Sequence, residues 1–137
     1  MGRCVRAIDQ LSRAELGTPY NAQSIWNQAD PAGHVFQSVA GVRDARNNPS
    51  SGVVAIIAAP VANDACDAVT VEVFPLAASC AEAQKVILKG GEVETTLEDV
   101  RVLTDSRKRR LMLLPGAGAT CIALSFNSFY GPPVSPP

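Results

Sequence analysis

Four cysteines are the residues of this sequence best equipped for chemistry: Cys4, Cys66, Cys80 and Cys121. None stands in a Cys-x-x-Cys pair, and His34 is the only histidine. Zinc centres draw on closely spaced Cys and His pairs, so no metal or other cofactor is expected. A thiol at a helix start can be activated by the helix dipole, but neither a histidine nor a second cysteine stands near enough in sequence to assist. The four thiols are therefore read as structural. In an oxidising compartment they would form two disulfides with one of three connectivities; in the cytosol they would stay as buried thiols. The even count favours the disulfides.

The remaining candidates carry less. His34 follows Gly33 in a turn-like stretch, with no nucleophile or orienting acid marked beside it, and reads as a surface or structural histidine. Lys89-Gly90-Gly91 and the run from Pro115 to Thr120 are glycine-containing turns. Neither has the spacing of a phosphate loop, which also needs a lysine between strand and helix. Arg107-Lys108-Arg109-Arg110 is the sharpest charge run. Glu98, Asp99 and Asp105 lie just upstream, and no aromatic interleaves it, so it reads first as a solvated turn that guards a hydrophobic strand. Its second reading is a basic patch that meets an acidic surface on a neighbouring subunit. Glu92, Glu94, Glu98 and Asp99 read as a surface acidic stretch. No residue is assigned a catalytic role, and the chain is expected not to be an enzyme.

The chain has 137 residues, 47% of them hydrophobic, and a net charge of −1. One domain of this length can bury a real core without depending on disulfides. The near-neutral balance argues against a nucleic-acid partner, which calls for a basic excess. No apolar run reaches the roughly 20 residues of a membrane helix. The longest, Val53 to Val61, suits a buried strand. Met1-Gly2-Arg3-Cys4 has neither the apolar stretch of a signal peptide nor the pattern of a myristoylation site.

These residues need elements to position them. Cys4, Ile8 and Leu11 recur at helical spacing, which predicts an amphipathic helix over 3–16 that stops at Gly17-Thr18-Pro19. Asn21 as N-cap and the stripe Ala22, Ile25, Trp26, Ala29 predict a second helix, ended by Asp30-Pro31-Ala32-Gly33. Val35, Phe36, Val39 and Val42 show no clean period and suit a short helix or a loop. Asn47 to Gly52 reads as a turn. Val53 to Ala59 is a central strand, and residues 68–74 alternate as another, with Asn63-Asp64 between them. Ser79-Cys80-Ala81-Glu82 is a capping box that opens a helix to about Leu88. Strands follow at Leu97–Leu103, Leu111–Leu114 and Cys121–Phe126. No internal repeat is visible. The expected fold is α+β: an N-terminal helix or helices packed on a mainly antiparallel sheet of about four to six strands, within the common range for sheets. Residues 1–131 would form a single domain and 132–137 a proline-rich tail.

Three segments resemble the type IVb pilins and their pilin-like relatives. Ser51-Gly52-Val53-Val54-Ala55-Ile56 resembles their first strand. Val69-Thr70-Val71-Glu72-Val73-Phe74-Pro75-Leu76-Ala77-Ala78-Ser79-Cys80 resembles their second strand running into a cysteine-bearing helix. Cys121-Ile122-Ala123-Leu124-Ser125-Phe126 resembles their second cysteine and closing strand. The family's long N-terminal hydrophobic helix is absent, Ser50-Ser51-Gly52 replaces its aromatic and Gly-Gly, and Cys4 and Cys66 lie outside its usual pattern. The resemblance implies a bonded pair, Cys80 with Cys121, bounding an exposed variable region. That bridge would tie the last strand to the helix and leave Cys4 and Cys66 to clamp the first helix. It also implies a subunit of an extracellular pilus-like filament, without catalysis or cofactor, anchored in the inner membrane only through the missing helix. Its partners would be other pilin subunits and a host or surface receptor, with Arg107 to Arg110 as the first contact patch. Two other readings stand beside it: a secreted or periplasmic binding or inhibitor domain, and a cytosolic regulatory domain or small enzyme with free thiols.

Overall fold

The computed structural model describes residues 4–16, 20–44, 48–62, 64–87, 92–105 and 108–131. In chain order these form α1 (Val5–Glu15), β1 (Tyr20–Trp26), β2 (Phe36–Asp44), β3 (Asn48–Pro60), β4 (Cys66–Leu76), α2 (Cys80–Ile87), β5 (Glu92–Leu97), β6 (Val100–Thr104), β7 (Arg110–Pro115) and β8 (Cys121–Tyr130). The strands make one eight-stranded antiparallel sheet in the order β1-β2-β3-β4-β8-β7-β6-β5. This corrects the α+β expectation of an N-terminal helix packed on four to six strands: strand takes 56% of the chain and helix only 18%, so the sheet is the fold.

The first correction lies at residues 20–26. Ala22, Ile25 and Trp26 do fall on a helical stripe, but Tyr20, Ile25 and Trp26 are also residues that favour strands. Tertiary pairing decides: β1 runs antiparallel to β2, with Tyr20 opposite Val42, Ala22 opposite Ala40 and Trp26 opposite Phe36. The connection is organised by Asn27, whose Oδ1 accepts from the backbone N–H groups of Ala29 and Asp30 at 2.9 and 3.0 Å. That local side-chain bond mimics a backbone turn. Residues 36–42 are strand as well. Phe36, Ala40 and Val42 are buried while Gln37, Val39 and Gly41 are exposed, an alternation that the small residues between them hide from a hydrophobicity scan. Residues 48–52, expected as turn, already belong to β3; Asn47 lies outside the described residues. Gly52 lets Phe74 lie against the backbone, since a Cβ there would collide with Cδ1 and Cε1 of that ring.

A further correction concerns Leu97–Leu103, expected as one strand. It is the hairpin β5–β6, in which Leu97 pairs with Val100 across Glu98-Asp99. Two-residue hairpin turns need positive φ, and Glu98 adopts φ 51 without being glycine or asparagine.

The chain divides into two compact units, Met1–Val42 with Val53–Thr70 and Ser128–Pro137, and Arg43–Gly52 with Val71–Asn127. In the first, Val54, Ile56 and Ala58 of β3 and Cys66, Ala68 and Thr70 of β4 are buried. The core of the second is Ala83, Leu103, Leu111, Leu113 and Cys121, with Leu76, Cys80, Ile87 and Ala123 packed against it. Full burial of a leucine such as Leu103 or Leu113 contributes about 1.5–3 kcal/mol. Helix α2 sits on this core through Cys80, Ala83 and Ile87, and a capping box fixes its start. Ser79 Oγ accepts from Glu82 N–H at 3.2 Å and Glu82 Oε2 accepts from Ser79 N–H at 3.3 Å. Arg101 Nη1 of β6 donates to Gln84 Oε1 of α2.

The structure also contains a repeat that the sequence hides. The order α-β-β-β-β occurs twice, over α1–β4 and over α2–β8. In each half the third strand ends on a proline, Pro60 or Pro115, and the fourth begins on a cysteine, Cys66 or Cys121. Five residues separate them in both, Pro-x-Ala-x-x-x-Cys. The same hydrogen bond closes both turns: Val61 N–H to Ala65 O at 3.0 Å, and Gly116 N–H to Thr120 O at 3.1 Å. Aligning Cys66 on Cys121 also places Ala68 on Ala123, Thr70 on Ser125 and Phe74 on Phe129.

Candidate interaction surfaces and the disulfide framework

All four cysteines are bonded. Cys4, the N-cap of α1, joins Cys66, the first residue of β4, with their Cα atoms 5.3 Å apart. Cys80, the first residue of α2, joins Cys121, the first residue of β8, with Cα atoms 4.9 Å apart. Each half thus has its helix start fastened to the start of its own fourth strand. Disulfides persist in oxidising compartments, so this framework places the working chain outside the reducing cytosol. Among the described residues, no helix is long and apolar enough to cross a membrane.

The basic run at 107–110 is only partly available as a contact patch. Arg107 lies outside the described residues. Arg109 is drawn back into the turn, its Nε 2.9 Å from Asp105 Oδ2 and its backbone N–H 2.8 Å from Asp105 Oδ1. Asp105 is only 9% exposed, and it serves there as the internal brace of the β6–β7 connection. Lys108 is exposed at φ 63, and Arg110, exposed at the start of β7, pairs with Thr104 and Phe126.

His34 lies in the β1–β2 connection with Nε2 3.7 Å from Asp30 Oδ2, both side chains largely in solvent. Glu98 and Asp99 make the β5–β6 turn; the side chains of Glu92 and Glu94, and Lys89-Gly90-Gly91, lie outside the described residues. Pro115 ends β7, and Gly116 to Thr120 form the β7–β8 connection. Among the described residues, no group of three or more His, Cys, Asp or Glu side chains could hold a metal ion.

No family model, curated protein or solved structure matches this chain.

The feature that sequence reasoning missed is the sheet edge. β1 and β5 end the strand order, so each has one side unpaired. An unpaired strand edge presents N–H and C=O groups ready to bond another chain, and proteins blunt such edges with charges or bulges. β5 breaks register between Val93 and Thr95. β1, Tyr-Asn-Ala-Gln-Ser-Ile-Trp, has no charge and no proline, pairs with β2 in an unbroken register, and is exposed at all seven residues. Ile25 is 68% exposed, and Trp26 stacks on Phe36 with ring centroids 6.4 Å apart. The signal in the sequence was the lack of charge across 20–26, which has no meaning until the strand is known to be an edge.

Proposed function

We propose that this chain is a non-enzymatic subunit of an extracellular, pilus-like assembly, in which it makes subunit contacts and takes part in adhesion or recognition. The observation that carries the reading is the placement of the three resembling segments. Ser51 to Ile56 lies in β3, Val69 to Cys80 runs through β4 into α2, and Cys121 to Phe126 opens β8, with Cys80 bonded to Cys121. The disulfides supply an extracytoplasmic setting, and the uncharged β1 edge supplies a surface suited to protein contact. Anchoring in the inner membrane would require a segment beyond this sequence. The alternative, a secreted or periplasmic binding or inhibitor domain, is favoured by one observation. The bond from Cys4 to Cys66 fastens α1 to β4, and such a bond is no part of the usual pilin pattern.

Cell fractionation of the native source separates the two. Recovery of the chain in filaments sheared from the cell surface, and loss of those filaments on gene deletion, is the expected result. Recovery only as free periplasmic or secreted protein would remove the filament reading. Within filaments, Lys108→Glu with Arg110→Glu tests the basic turn while leaving the Asp105–Arg109 brace in place. Assembly or receptor binding is expected to fall, and unchanged filaments with unchanged binding would clear this turn of a role.

A further inference from the structure

We infer that the β1 edge is a homodimer interface, in which β1 of one copy pairs antiparallel with β1 of a second and continues the sheet across a two-fold axis. This goes beyond the filament reading, because a two-fold contact closes on itself and builds a pair rather than a line.

The choice of occupant follows from charge and register. β1 has no charged residue, and the whole chain carries only −1, so two copies meet with little repulsion. A head-to-tail contact, β1 on the β5 edge of the next copy, would set a strand of unbroken register against one with a register break. The self-pairing has no such mismatch. Centred on Gln23, it places Tyr20 of each copy opposite Trp26 of the other, Asn21 opposite Ile25, Ala22 opposite Ser24, and Gln23 opposite Gln23. Tyr20, Ala22, Ser24 and Trp26 share the face on which β2 presents buried Phe36, Ala40 and Val42. Each Tyr20 would therefore meet a Trp26 already stacked on Phe36, which extends the aromatic row across the axis. Aromatic cross-strand pairs are among the more favourable sheet contacts. On the opposite face, Ile25, 68% exposed, gains a neighbour in Asn21.

Seven residues a side is well below the roughly 20–30 of a standard interface, so the pair should be of micromolar strength and concentration-dependent. Sedimentation analysis of the oxidised chain from about 5 to 500 µM, a range that brackets such an affinity, reads it directly. The expected result is a mass that doubles across that range. Gln23→Lys sets two ammonium groups face to face at the axis and should weaken pairing at least tenfold. Thr95→Lys, on the β5 edge, should leave it unchanged. A wild-type chain that stays monomeric throughout overturns the proposal and points to a foreign strand or to no partner. A dimer indifferent to Gln23→Lys, or one abolished by Thr95→Lys, places the interface elsewhere and also overturns it. Hydrogen exchange of the wild type guards against a variant that fails to fold. Amides within residues 20–26 should gain protection as concentration rises, and protection that does not change sinks the proposal.

Discussion

The two α-β-β-β-β halves are alike where the disulfides seal them and unlike in the strands that end the sheet order. Each fastens the start of its helix to the first residue of its fourth strand, turns from proline to cysteine over the same spacing, and closes that turn with the same hydrogen bond. Their first strands differ. β5 has a register break; β1 is regular, uncharged and open. The shared features fasten each helix to the last strand of its own half. The unshared strand is where one half has been left able to bond outward.

The likeness can be broken most forcefully at the disulfides. Loops of 62 and 41 residues differ little in chain entropy, so opening either bond should cost about 4 kcal/mol. Denaturant unfolding of Cys4→Ala/Cys66→Ala and of Cys80→Ala/Cys121→Ala measures both. If one pair proves dispensable, the two seals are not equivalent. Next in size is Asp105→Ala, which removes the Arg109 ion pair and the accepted backbone N–H together. A loss of about 2 kcal/mol is expected from charged hydrogen bonds in a part-buried turn, with Asp105→Asn recovering some of it.

A smaller effect tests the alignment of the fourth strands. Thr70 and Ser125 are aligned positions, 0% and 4% exposed, and neither hydroxyl has a hydrogen-bond partner among the described residues. Deleting an orphaned buried hydroxyl relieves its desolvation cost, so Thr70→Val and Ser125→Ala should each stabilise by about 1 kcal/mol. Opposite signs in the two halves would show that the shared position hides different surroundings. The least effect belongs to Glu98→Gly, which suits the positive φ of the β5–β6 turn and should raise the unfolding midpoint by the equivalent of at most about 1 kcal/mol.

Elements governed by local signals were legible in the sequence. The helix over 3–16 appears as Val5–Glu15, the capping box opens α2 where Ser79 and Glu82 stand, and the β-branched runs at 53–59 and 68–74 lie in β3 and β4. Elements decided by distant pairing were not. Residues 20–26 satisfy a helical stripe about as well as a strand, and only β2 beside them settles the matter. The turn at Glu98-Asp99 offers no glycine or asparagine to announce a hairpin. The repeat rests on few identical residues, and its first three strands differ in length and sequence between the halves. For function, the cysteines stood out as residues, whereas an open edge is a property of strand order that no single residue carries. Arg109, read as part of a basic turn and candidate contact patch, also braces its own turn, a pairing with Asp105 that the charge run does not reveal.

The order of the bonds along the chain bears on how it is made. Each disulfide joins consecutive cysteines, the first with the second and the third with the fourth. A chain delivered N-terminus first into an oxidising compartment would expose Cys4 and Cys66 to each other before Cys80 has emerged. Oxidation in order of arrival then yields both native pairs directly. The other two connectivities, which would need thiol exchange to correct, are bypassed by the timing of emergence.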